Sequence, residues 1–533
     1  MSKIVLLSVN AKYIHSSLAV WVLAAAIATY SKKTHDVQIL ETTIHKTNEE
    51  IAQSIAKHSP EAIGISTYIW NAEKLPEIIA RIKQQLPKAR IILGGPEAEY
   101  NAPYWLSCGA DFVLSGEGEQ SLPALLDEIA EKNNKLKISP QDRGTDAFLP
   151  IDPYTKEYFE ALDNRLAYIE TSRGCPFSCA FCLSADKRLH YFPLEIVKEQ
   201  LIKLSQSGIR TIKLVDRTFN SNTQRAYELY EYILGLSTEC CFHFEVAADL
   251  FDERTITLLQ TATPGRIQLE AGLQSFHEPA IKAASRKTDL NLAKENIHKL
   301  LKNGNIHIHI DLIAGLPYET LDDFKNSFDK AYLLKTHTLQ LGFLKLLHGS
   351  KLRNQANALG IKYSRTPPYE IISSAWLSQD EMKILKQTEN ALKHTANKAR
   401  FLTTLEYVFL ATKIRPFELF YLIGSKAPNH GTDLAVYATQ LYEICSKLEG
   451  VDTDKLHDYM LFDWMGMVKG KNMPEKIKTT ANQRGSIIGI AEEQLGRRIR
   501  RDEAVMLLSG KGIYVDSKSR DPVTGLYKVL FAH

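Results

Sequence analysis

The sequence has no apolar run long enough to cross a bilayer, which takes about 20 residues. The longest near its start, Val20 to Thr29, stops well short of that and has neither a basic lead-in nor a small-residue cleavage site. It reads as a buried helix. An excess of one charge is also lacking: 65 basic residues face 62 acidic ones, a net charge of +3. Neither a nucleic acid nor a membrane surface is therefore expected as a partner of the whole molecule. Cysteine is scarce, 7 in 533 residues, too few for a disulfide scaffold. Gly (28) and Pro (20) fall short of any low-complexity class. What remains is the composition of a globular protein of about three domains, expected in the cytoplasm with its thiols reduced.

Three of those cysteines fall within eight positions, in Gly174-Cys175-Pro-Phe-Ser-Cys179-Ala-Phe-Cys182. Under reducing conditions such crowding indicates metal before disulfide.

Periodicity divides the chain. Up to residue 135, strand-like runs (Ile4–Val9, Val37–Leu40, Ala62–Ile69, Arg90–Leu93, Phe112–Leu114) alternate with helical ones. That pattern predicts a Rossmann-like, doubly wound parallel sheet. Its ligands are expected at the carboxyl ends of the strands. A polar, proline-broken run around Asn133–Pro153 marks a linker over 136–160. From 161 to 365 six further βα units follow, with strands predicted at Ala167–Glu170, Thr211–Val215, Phe242–Ala247, Arg266–Gly272, Ile306–Ile313 and Leu339–Leu346. Six units amount to three-quarters of a (β/α)8 barrel. Residues 366–533 read as mainly helical and close with a hairpin over Gly512–Leu530. The aromatic stripe Phe401, Tyr407, Phe409, Phe417, Phe420, Tyr421 reads as packed core.

The C-x3-C-x2-C motif lies on the loop after the first predicted barrel strand, the face where barrels keep their chemistry. Thiolates hold iron–sulfur clusters, which normally take four ligands; three on one loop leave one iron open to a small-molecule chelate. A structural zinc site would need a fourth nearby Cys or His. Cys108 and Cys445 lie in other domains, Cys240-Cys241 open another strand, and His190 is eight residues beyond Cys182.

With the phenylalanine before its third cysteine, the motif resembles that of the radical S-adenosylmethionine superfamily, over about 160–350. The resemblance implies that Cys175, Cys179 and Cys182 hold a [4Fe–4S] cluster. It further implies that the cluster reduces bound S-adenosylmethionine to methionine and a 5′-deoxyadenosyl radical. Within the superfamily the stretch is similar to the oxygen-independent coproporphyrinogen oxidases. That likeness assigns Gln274 and Asp311 to the ribose hydroxyls, and Arg286 and Glu245 to the amino-acid end. An arginine suits a carboxylate, and amide or acidic acceptors suit a diol. Glu270 and Asp216 also project near strand ends, without an assigned role.

The first domain resembles the cobalamin-binding domain that precedes many of these radical enzymes. The carrying residues are Gly94-Gly95-Pro96-Glu97 and Gly116-Glu117-Gly118-Glu119, whose Cβ-free edges let a macrocycle approach backbone. Thr67 is expected near the nucleotide tail. The D-x-H-x-x-G pattern of a lower axial histidine is absent, but His15 lies in the loop where that ligand would be. A dinucleotide site is disfavoured, because Gly116-Glu-Gly118 lacks a third glycine and carries acidic residues.

The expected activity is cobalamin-dependent methylation of an unactivated carbon, with a flavodoxin- or ferredoxin-type electron donor. The alternatives are radical cyclisation, rearrangement or oxidation, and a non-catalytic carrier. The basic runs Val468–Lys478 and Arg497–Arg501 are flanked by acidic residues and read as solvated faces rather than nucleic-acid contacts.

Overall fold

The computed structural model describes residues 2–131, 150–427, 433–479 and 484–532. Most of the predicted linker lies outside them. The chain divides into two compact units: 1–245 with 284–286 and 345–371, and 246–283 with 287–344 and 372–533.

The first unit opens with five strands, β1 (Ser2–Asn10), β2 (His35–Thr43), β3 (Ala62–Ser66), β4 (Arg90–Gly94) and β5 (Phe112–Val113), all parallel. Their order is β2-β1-β3-β4-β5, so the winding reverses between β1 and β3. Every residue from Ile4 to Asn10 is buried. Alternate side chains go to opposite faces. Val5, Leu7 and Val9 pack with Ile51, Ile55, Ile78 and Ile82 of two helices, while Ile4 and Leu6 pack with Val20, Ile27, Leu122 and Leu126 of two others. A sheet covered on both faces leaves ligands only its edge. The apolar run from Val20 lies on the helix Leu18–Tyr30, which is buried at Val20, Ala26 and Ile27 and exposed at its carboxyl end.

The first unit also holds the parallel strands Ala167–Ile169, Thr211–Leu214 and Cys241–Val246. The second unit holds the parallel strands Ile267–Gln274, His307–Ala314 and Thr338–Phe343. Here burial alternates strictly, as in Ile267–Gln274 and His307–Ala314. One face is aliphatic (Ile308, Ile310, Leu312) and fully covered; the other carries His307, His309 and Asp311.

Past 372 the second unit is mainly helical, with six helices from Gln379–His394 to Arg484–Leu495 among the described residues. Phe328 and Tyr332 meet Phe409, Phe417 and Phe420 in edge-on ring contacts; of the aromatic stripe Phe401, Phe417 and Phe420 are core, while Tyr407, Phe409 and Tyr421 are half-buried. The expected terminal hairpin is Gly512–Arg520 with Tyr527–Ala532. It belongs to a three-stranded antiparallel sheet, because Ala504–Met506 adds a strand that three residues of sequence could not announce. Of the basic cluster, Arg497 pairs with Asp516 at 2.7 Å and Arg500 with Glu503 at 3.3 Å. No helix of the described residues is long and apolar enough to cross a membrane.

Candidate functional site

The cysteine loop leaves the strand Ala167–Ile169 and turns at Gly174, whose φ is +95°. A Cβ there would lie 2.2 Å from the Arg188 carbonyl oxygen, so only glycine fits. Backbone bonds then hold the loop: Cys175 N–H to Lys187 O at 3.2 Å, Cys182 N–H to Cys179 O at 3.0 Å, and Ala180 N–H to Ala284 O at 2.8 Å. Cys179 is buried, while Cys175 and Cys182 are half-buried. Burial raises the Cys179 thiol pKa, the Arg286 guanidinium opposes that rise, and the nearby Cys182 and Cys175 add to it. Arg286 donates to Cys179 Sγ at 3.7 Å, and Thr218 Oγ1 stands 3.9 Å from Cys175 Sγ.

A single tetrahedral zinc ion, with Zn–S of about 2.3 Å, would draw its thiolates to about 3.8 Å of one another. Among the described residues, only Glu270, His309 and Asp311 form a Cys/His/Asp/Glu trio with ligand atoms within 4.8 Å of one another. Three thiols on one loop, Cys179 buried and Cys175 and Cys182 half-buried, suit the thiolate ligation of an iron–sulfur cluster.

Three carboxylates flank the loop's root. Arg173 Nη2 reaches Glu170 at 2.6 Å and Glu119 at 2.8 Å, and Nη1 reaches Glu117 at 3.5 Å. These bonds tie the cysteine loop to the glycine turn Gly116–Glu119. Asp216, one of the two carboxylates without a role from sequence, is 1% exposed. It accepts from Thr171 N at 3.1 Å, from Thr171 Oγ1 at 2.8 Å and from Ser172 Oγ. Burial pushes its pKa up to about 6 against those donors. Asp216 thus anchors the loop, and sequence reasoning missed Arg173, whose only local signal is its place two residues before Cys175.

Glu245 projects from the half-exposed face of Cys241–Val246 and pairs with Lys213 at 3.3 Å. In the second unit, Gln274 ends its strand with φ +69°, after a register shift that begins at Gly272. Its Oε1 is buried without a hydrogen-bond partner. Asp311 lies mid-strand rather than at a strand end, 2.9 Å from His309 Nε2. Glu270 is likewise mid-strand; it is in register with His309, as Gly272 is with Asp311.

At the edge of the first sheet, Gly95 has φ +103°, and a Cβ there would sit 2.7 Å from Thr67 O. Gly94 and Gly116 face open space, whereas Gly118 packs against Leu23. Thr67 is 0% exposed and bonds Gly94 O through its N–H at 2.8 Å, so it lies beneath the glycine turn. Such side-chain-free edges fit a flat macrocycle. The loop after β1 is organised by Glu41, unnoticed in the sequence. It accepts from Asn10 Nδ2 (2.9 Å), Ser17 N (2.8 Å), Trp21 Nε1 (2.9 Å) and both terminal nitrogens of Arg165 (2.9 and 3.3 Å). That loop carries His15, whose Nδ1 is 2.6 Å from the Tyr168 hydroxyl. Burial, then Lys12 and Lys213, lower the His15 pKa.

The chain matches the B12 binding domain over residues 4–126, the Radical SAM superfamily over 169–331, and a protein family of unknown function, DUF4080, over 357–499. It is similar to an uncharacterized methyltransferase of Pyrococcus horikoshii, 23% identical over 63% of this chain and 78% of that one. It is also similar to the cobalamin-dependent radical SAM methyltransferase TokK of Streptomyces tokunonensis. That match is 24% identical over 52% of this chain and spans 45% of TokK. Among solved structures, it resembles the radical S-adenosylmethionine methyltransferase TsrM of Kitasatospora setae, solved with tryptophan substrate and an S-adenosylmethionine analogue. The TM-score is 0.56 at 15% identity, covering 94% of this chain and 96% of TsrM. Residues 169–331, with the cysteine loop, thus form a radical S-adenosylmethionine domain. More narrowly, the chain joins that domain to a B12-binding one, so its cofactors are a [4Fe–4S] cluster, S-adenosylmethionine and cobalamin.

Proposed function

We propose that this enzyme methylates an unactivated carbon, using a radical made in the barrel domain and a methyl group carried by the first domain. The observation that carries the reading is Arg173, which binds the cysteine loop to the glycine turn Gly116–Glu119 and so fixes the two cofactor loops together. The methyltransferase names of the relatives support it. The domains are 1–135, 161–365 and 366–533, with a linker at 136–160.

Cys175, Cys179 and Cys182 would hold the cluster. Arg286 and Glu245 would orient the amino-acid end of adenosylmethionine, and Gln274 and Asp311 its ribose. Gly94, Gly95, Gly116 and Gly118 would form the cobalamin edge, with Thr67 bracing it. With Nδ1 engaged by Tyr168, His15 would offer Nε2 to cobalt. When bound, the cluster supplies the electron that splits the sulfonium, and cobalamin carries the methyl group. The protein's own part is orientation. Arg286 beside Cys179 neutralises thiolate charge, Asp216 stiffens the loop root, and the polar strand faces receive the adenosyl and substrate groups.

The enzyme needs an external reductant. A flavodoxin or ferredoxin in the cytoplasm is the donor class proposed. The test incubates anaerobically reconstituted protein with trideuteromethyl adenosylmethionine, dithionite and fractionated metabolite or peptide extracts. A product gaining one CD3 group for hydrogen supports methylation. Product of unchanged carbon count, formed together with 5′-deoxyadenosine, would replace it with cyclisation, rearrangement or oxidation.

A further inference from the structure

Gln274 has a left-handed backbone, which costs a non-glycine residue about 1–3 kcal/mol and persists only where the surroundings impose it. What imposes it is a buried cluster in the second unit. Glu319 lies two residues before the helix Leu321–Tyr332 and is 0% exposed. Its Oε1 accepts from Ser275 Oγ at 2.5 Å and Ser327 Oγ at 3.1 Å. The same hydroxyls receive the turn's backbone: His277 N–H donates to Ser275 Oγ at 2.8 Å and Phe276 N–H to Ser327 Oγ at 3.0 Å. Glu319 Oε2 is buried without a partner. That arrangement suits a neutral acid better than a carboxylate, whose second oxygen would be stranded.

We propose that Glu319 is a positioning residue: its buried carboxyl holds Ser275 and Ser327, and thereby the turn that presents Gln274 to the adenosylmethionine ribose. The proposal rests on the assignment of Gln274 made above. The buried acceptor Oε1 of Gln274 matches a hydroxyl donor, and only a fixed turn keeps it aimed. Burial raises the Glu319 pKa to about 7, Asp323 raises it further, and the two serine donors oppose. His277 stands beside this cluster, 3.4 Å from Asp323. As pH rises through that value the carboxyl becomes a charge that its burial disfavours, and this burial cost loosens the turn.

The experiment measures binding of radiolabelled S-adenosylmethionine by equilibrium dialysis to the full-length, cluster-reconstituted protein between pH 6 and 8.5. Gln274→Ala and Ser275→Ala should each weaken binding up to about tenfold. Wild type should lose affinity with a midpoint near pH 7. Glu319→Gln, a permanent mimic of the neutral acid, should bind like wild type at pH 6 and lack that component. Ser275→Ala gives the readout even where Glu319→Ala does not fold. A Glu319→Gln profile superimposing on wild type, or normal affinity in Ser275→Ala while Gln274→Ala is weak, overturns the proposal alone. Normal affinity in Gln274→Ala instead overturns the Gln274 assignment.

Discussion

The strands of the amino-terminal sheet and those of the barrel domain pair in parallel, yet they bury differently. From Ile4 to Asn10 the first strand of the amino-terminal sheet is buried at every position, and β3 is buried from end to end. In the barrel strands burial alternates, fully covered aliphatics with half-buried Lys213 and Glu245 in one unit and with half-buried Glu270, His309 and Asp311 in the other. A sheet dry on both faces leaves only its edge for binding, and Gly94–Gly95 and Gly116–Gly118 are proposed as that edge. A sheet with one polar face can take a charged cofactor onto that face. On the proposal above, the same parallel architecture would serve an edge-bound macrocycle in one region and a face-bound sulfonium in the other.

The largest effect expected falls on the cysteine loop. Cys179→Ala should abolish the visible absorption of the reconstituted cluster and reduce 5′-deoxyadenosine formation to background, with the far-ultraviolet circular dichroism unchanged. Next comes the dry sheet: Leu7→Ala, at a position 1% exposed, should cost about 2–5 kcal/mol in urea unfolding, leaving cluster assembly intact. Asp216 follows. Its folded pKa of about 6 exceeds its ordinary value of 3.8, so its protonated form is stabilised. Its contribution is therefore present below about pH 4 and lost as pH rises through about 6. The difference is on the order of 3 kcal/mol at 1.36 kcal/mol per pH unit. Urea midpoints measured across that range should fall in wild type and stay level in Asp216→Asn.

Smaller still is Gly95→Ala. A methyl group at φ +103° would press on Thr67 O, costing about 1–3 kcal/mol and reducing the cobalamin retained after desalting. The smallest effect on stability belongs to the polar face: His309→Ala should shift unfolding by about 1 kcal/mol or less while weakening adenosylmethionine binding. A large unfolding shift in His309→Ala would break the contrast between the two sheets.

Much of this was legible because local periodicity and burial coincide. Alternation over Ile267–Gln274 marks a half-polar strand, and the unbroken apolar run Ile4–Val9 marks a strand buried on both faces. The cysteine spacing identified its loop because all three thiols are local. What escaped was long-range. Glu41 meets Arg165 across 124 positions and Arg173 meets Glu119 across 54; no spacing rule connects such pairs. Gln274 could be named from sequence, but its left-handed turn depends on Glu319, 45 residues on. The strand Ala504–Met506 is too short for its periodicity to register.

The central claim is that one chain holds both a radical-generating cluster and a corrinoid. The most direct measurement is the absorbance spectrum of protein reconstituted without oxygen with iron, sulfide and hydroxocobalamin, then desalted and assayed for 5′-deoxyadenosine with adenosylmethionine and dithionite. The account predicts a broad cluster band, corrin bands that survive desalting, and deoxyadenosine that disappears in Cys179→Ala. A cluster and deoxyadenosine without retained corrin would contradict the methyl-transfer reading. No cluster at all would contradict the assignment of Cys175, Cys179 and Cys182.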